Sequence, residues 1–93
     1  MDASNYNSPG IEEIYERYAD MLFRIAYASL LSKEDAEDAV QEAYAKYMEN
    51  RPAFREKEHE KAWFVKVTIN KCRDIKRRRS IRAYTPLEEI AEI

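Results

Sequence analysis

Glycine occurs once and proline three times in this chain of 93 residues, so few positions offer the backbone conformations that tight turns demand. That scarcity argues against a many-turned β domain. The abundance of long, helix-favouring side chains predicts an all-α fold instead. Cysteine also occurs once, at Cys72, so no internal disulfide can form and the fold must rest on its core, as suits a reducing compartment. The single histidine, His59, lies in a charged segment. With one cysteine elsewhere, this argues against a metal site. No apolar run is long enough to span a membrane, and the polar opening MDASNYNSPG has no apolar signal core. A Gly-rich phosphate loop and a nucleophile–base pair are missing as well. The sequence therefore predicts a cytoplasmic binding domain with no membrane partner, no cofactor, no catalytic residue and no enzyme activity.

Charge is abundant, at 37% of residues, and the formal net of -2 conceals its segregation. Residues 11–50 hold ten acids against four bases, a net of -6, whereas residues 66–82 hold eight bases against Asp74 alone, a net of +7. An acidic half and a basic end predict two different partners, one of them a polyanion.

Apolar spacing organises the chain. Residues 1–10 read as a flexible lead closed by Pro9-Gly10. From Ile11 the positions Ile11, Ile14, Tyr15, Tyr18, Leu22, Ile25, Ala26 and Ser29 share one helical face, predicting a first helix that ends near Leu31. Ser32 then opens "SKED", an N-cap hydroxyl with an acid at the third helical position, worth about 1 kcal/mol by analogy with measured caps. The second helix should run to about Asn50 and bury Ala36, Ala39, Val40, Ala43, Tyr44, Tyr47 and Met48. Pro52 stops it, and "RPAFREKEHEK" forms a long charged connection in which Phe54 pins the loop to the core. A third helix from about Glu58 to Arg79 carries Phe64, Val67, Thr68, Cys72 and Ile75 on its core face. Three amphipathic helices can bury one core as a small bundle, with the long loop before the third.

A second stripe lies on the third helix. Trp63, Lys66, Asn70, Arg73 and Arg77 follow at alternating three- and four-residue spacing, displaced from the core stripe. Two readings stand open. Cations can neutralise phosphates, an indole can stack on an unpaired base and an asparagine can bond a base edge, which together fit nucleic acid with single-stranded character. Alternatively, the bases merely complement the helix dipole and Trp63 packs against Phe54 or Tyr84.

The stretch "AEDAVQEAYAKYM", followed about twenty residues later by "WFVKVTINKCRDIKRRR", resembles the promoter-opening domain of bacterial sigma factors, closest to the extracytoplasmic-function (ECF) class. The first part of the pattern falls on Glu37, Asp38, Val40, Gln41, Glu42, Ala43 and Tyr44, and the second on Trp63, Phe64, Val67, Asn70, Asp74, Arg77 and Arg78. The resemblance covers residues 11–79. It implies that Asp38, Gln41 and Glu42 dock on the coiled coil of the β′ subunit of core RNA polymerase. It further implies that the loop from Asn50 to Lys61 captures a base flipped from the non-template strand of the promoter -10 element. Arg55, Lys57 and Lys61, with Trp63, Lys66, Asn70, Arg73, Arg77 and Arg78, would then contact that DNA. An anti-sigma protein, common in the class, becomes a candidate partner for the same surfaces.

A full ECF factor carries a second helical domain, a helix-turn-helix that reads the -35 element, and residues 84–93 (YTPLEEIAEI) are too few to form one. The expectation is a sigma domain over residues 11–83 with the start of a linker after it. Two other classes remain in view. One is a duplex-binding helix-turn-helix regulator that reads the major groove with its third helix, against which the connection before that helix is long. The other is a helical protein-interaction module with an incidental basic tail.

Overall fold

The computed structural model describes residues 10–92, with side chains for residues 10–81. The expectation for residues 1–9 and any packing by Tyr84 fall outside the described residues. Among the described residues three helices make up the fold: α1 Ile11–Leu30, α2 Lys33–Asn50 and α3 Lys57–Glu92. Each packs against the other two.

Local chemistry sets the boundaries. The Ser32 hydroxyl accepts the Asp35 backbone N–H at 3.2 Å, so α2 begins on the cap that the sequence indicated. At the other ends the scarcity of glycine shows. Leu31 (φ 56°) and Arg51 (φ 43°) adopt the left-handed conformation that usually falls to glycine, and their N–H groups close the last turns on the carbonyls of Tyr27 and Tyr47. The Arg51 guanidinium lies over the Tyr47 ring at 5.7 Å.

The third helix begins at Lys57 and runs past the expected end at Arg79 to Glu92. Apolar periodicity fades after Ile75, yet Arg, Ala, Leu and Glu favour a helix without it. Residues 84–92, expected to begin a linker, continue the same helix. The connection before α3 is also shorter than expected. Residues 51–56 alone are non-helical, so His59, Lys57 and Lys61 stand in the opening turns of α3 rather than in a loop.

Two joined clusters form the core. One is aromatic, gathering Ile14, Tyr18, Leu22, Val40, Ala43, Tyr44, Tyr47 and Phe64. Phe64 is its hub: the rings of Trp63, Tyr44, Tyr18 and Tyr47 lie 5.0, 5.1, 5.2 and 5.5 Å from its own. The second cluster is built of small residues, Ala26, Ala36 and Ala39, closed by Leu30, Cys72 and Ile75. Burial holds the Cys72 thiol above its ordinary pKa, keeping it a protonated, inert core group.

Several expected core positions lie on the flank instead. Ile11 and Tyr15 are exposed, as is Met48 at 45%, while Ile25, Ser29 and Val67 are half-buried. Leu30 takes a place in the core that the expected stripe did not give it. The cause is geometric: a wheel drawn from one helix cannot tell which edge of an apolar stripe its two neighbours will cover.

Candidate functional site

The acidic face of α2 and the basic face of α3 are neighbours. On α2, Asp38 and Gln41 are exposed and Glu42 is half-buried, its carboxylate 3.6 Å from Lys46 Nζ. On α3, Lys66, Asn70, Arg73 and Arg77 are exposed along the side opposite the core. The seam between the helices is a chain of shallow grooves. One of about 480 Å³ is lined by Glu42, Lys46, Val67, Asn70, Lys71 and Asp74. In the next, Asp38, Gln41 and Glu42 face Lys71 and Arg78. The two surfaces assigned to different partners thus share one boundary.

Trp63 departs from the expectation of a solvent-facing indole. It is half-buried, packed edge-on against Phe64, Phe54 at 5.9 Å and Tyr47 at 6.2 Å. Phe54 does pin the loop, as the sequence suggested, with its ring stacked 6.4 Å from that of Tyr47. Trp63 and Phe54, both half-buried and packed on the buried Tyr47, therefore form an aromatic wall, and Arg55, Lys57 and Lys61, close to them in sequence, are exposed.

Internal pairing divides the cations. Asp74 pairs with Arg77 and, at 3.8 Å, with Arg78, both within α3. Arg79 turns to α2, donating Nε and Nη2 to Asp35 Oδ2. Lys66 and Arg73 have no ion-pair partner among the described residues, and they flank the exposed Asn70.

One buried charge went unseen in the sequence. Glu60, fully buried, accepts Arg17 Nη1 at 2.7 Å and the Tyr18 hydroxyl at 2.6 Å, tying the start of α3 to α1. A signal was present. Glu60 precedes Phe64, Thr68 and Cys72 at four-residue steps, so it occupies a core position and requires a partner there. Burial, and next the Glu60 acceptor, hold the Tyr18 phenol well above its usual pKa. Tyr44 is raised chiefly by burial too, and its hydroxyl donates to the carbonyls of Ile14 and Tyr15. Among the described residues no group of three or more His, Cys, Asp or Glu is placed to hold a metal ion, and no helix is long and apolar enough to cross a membrane.

A three-helix bundle with an acidic ridge on α2, an aromatic wall before α3 and a basic face along it agrees with one family. The family model described as Sigma-70 region 2 matches residues 14–82, and the chain belongs to that family. Among curated proteins it is similar to "ECF RNA polymerase sigma factor SigM" from two strains of Mycobacterium tuberculosis. In both cases it is 28% identical over 79 residues, which cover 85% of this chain and 40% of the relative. The chain spans about two fifths of the length of those curated relatives. No solved structure matches it.

Proposed function

We propose that this domain acts in the cytoplasm as part of a sigma factor, docking on core RNA polymerase and binding and melting the promoter -10 element. Residues 11–83 are the working unit, and those after them lead toward a domain that reads the -35 element. Asp38, Gln41 and Glu42 on α2 meet the β′ coiled coil. Asn70, Lys66 and Arg73 on α3 hold the non-template strand, with Arg77 and Arg78 beyond them and Arg55, Lys57 and Lys61 at the loop end. The domain contributes binding energy and carries out no bond chemistry. The same surfaces are where an anti-sigma protein would compete.

The observation that carries this reading is the adjacency of an acidic ridge and an exposed basic stripe centred on Asn70, in a chain of the Sigma-70 region 2 family. Opening a duplex costs a few kcal/mol for each extruded base. An aromatic wall, a base-edge donor and exposed cations along the path of the freed strand can offset that cost. Trp63 contributes the part of its half-buried ring that Phe54, Tyr47 and Phe64 leave uncovered.

The test is core polymerase binding by Gln41→Ala and Glu42→Lys. Both side chains point away from the core, so the fold should persist while affinity falls by about tenfold or more, as for truncated interface anchors. Unchanged affinity in both variants would remove α2 from the docking surface.

A further inference from the structure

Asp74 is the one acid between residues 66 and 82, and it sits where it cancels the most charge. Its two carboxylate oxygens face the guanidinium groups of Arg77 and Arg78, one turn further along α3. It also lines the α2–α3 groove beside Asn70 and Lys71. Arg79 is engaged separately by Asp35. Three of the four cations in the run 76–79 therefore face a carboxylate, whereas Lys76, like Lys66 and Arg73, has no ion-pair partner among the described residues.

We infer that Asp74 is a specificity-determining residue: it withholds Arg77 and Arg78 from phosphates and so weakens attraction to arbitrary duplex DNA, while the opened strand is held by Lys66, Asn70 and Arg73, with which it does not pair. The inference rests on the promoter-binding reading above and adds the means of discrimination. Non-specific attraction to DNA comes from cations replacing condensed counterions, each contact steepening the salt dependence by about 0.9 in the log–log slope. A guanidinium already paired to a carboxylate contributes little to that release. The pairs are exposed, and an exposed pair shifts an equilibrium by about fivefold at most. That is enough to weaken random-duplex binding. It costs the opened strand less, because that strand is held mainly by stacking and base-edge contacts, each worth about five- to a hundredfold. Selectivity gained by penalising the wrong ligand is a general device.

The neighbouring charges agree with this assignment. Across the groove from Asp74 lies Lys46, held by Glu42; Lys71, one turn before Asp74 on α3, has no ion-pair partner among the described residues. Lys71 points toward α2 rather than along the exposed stripe, so neither lysine takes the place of the two arginines there.

The experiment measures binding of the 93-residue chain to a random-sequence duplex and to a single-stranded -10 oligonucleotide library over a range of salt concentrations. It compares wild type, Asp74→Asn, Asp74→Glu and Arg77→Gln/Arg78→Gln. Asp74→Asn should tighten random-duplex binding about three- to tenfold at low salt and steepen the slope by about 1 to 2. Preference for the single strand should shrink by the same factor, and Asp74→Glu should restore it. A purely structural Asp74 would change helicity and melting but leave the slopes where they were. Asp74→Asn with a wild-type slope, in a chain whose double-arginine variant is shallower than wild type, overturns the inference and keeps the DNA reading. Flat salt dependence in every variant overturns both.

Discussion

Arg79 and Asp35 join the end of the bundled part of α3 to the first turn of α2, with Nε at 3.1 Å and Nη2 at 2.6 Å from the same carboxylate oxygen. An arginine at the end of the basic run 76–79 is thus a fastener between helices. Both side chains are about one-third exposed, so the contact is worth less than a buried pair. Arg79→Ala should lower stability by about 1 kcal/mol and leave DNA affinity nearly unchanged. Denaturant midpoints alongside salt-dependent binding would separate the two effects.

Glu60 presents the opposite case, a carboxylate with no exposure held by Arg17 and Tyr18. Removing one partner of a buried pair is costly because the other is left desolvated, although Arg17 keeps some contact with solvent. Glu60→Ala should cost about 2–3 kcal/mol. The loss should fall first on the start of α3, seen as faster amide exchange near Trp63. A stability equal to wild type would mean that the pair contributes nothing net.

Alkaline pH should unfold the domain for a stated reason. Tyr18 and Tyr44 have folded-state pKa values raised above the unfolded value of 10.0. The folded state therefore holds these two protons more tightly. The stability they contribute is fully present below about pH 10 and is lost as pH rises beyond it. Each phenol adds a slope of about 1.4 kcal/mol per pH unit in that window. Tyr44→Phe loses only two long hydrogen bonds, of 3.4 and 3.3 Å. It should roughly halve the fall in denaturant midpoint between pH 10 and pH 11.

Leu31 closes α1 in a left-handed conformation with its side chain 76% exposed. A non-glycine residue there costs about 1–2 kcal/mol, partly returned to glycine as chain entropy. Leu31→Gly should raise stability by about 0.5–1 kcal/mol, read as a higher thermal midpoint. A lower midpoint would show that the Leu31 side chain packs on something of value.

The sequence made the helices visible because each carries an apolar stripe, and Ser32 marked the start of α2 through a purely local bond. Its limits lay where two helices meet. Met48 and Tyr15 fit the spacing of a core stripe yet lie at its uncovered edge, and the Tyr15 ring rests 5.1 Å from that of Tyr44 on the rim. Glu60 read as one more charge in a charged segment, because its partners Arg17 and Tyr18 are over forty residues away. Trp63 fell on the displaced stripe, but its large ring reaches back to Phe54 and Tyr47 from there. For the candidate site, the positions of Lys66, Asn70 and Arg73 followed from helical spacing. The pairing that distinguishes Arg73 from Arg77, Arg78 and Arg79 depends on rotamers and on α2, which spacing does not report.

The most direct measurement is permanganate reactivity of unpaired thymines in the -10 region of a promoter bound by core polymerase and this domain. Asn70→Ala is the variant of choice, because its side chain is exposed and lies outside the core. Reactivity should fall about tenfold, the worth of one base-edge contact, with polymerase binding unchanged. Opening at the wild-type level would contradict a strand-holding role for the exposed face of α3.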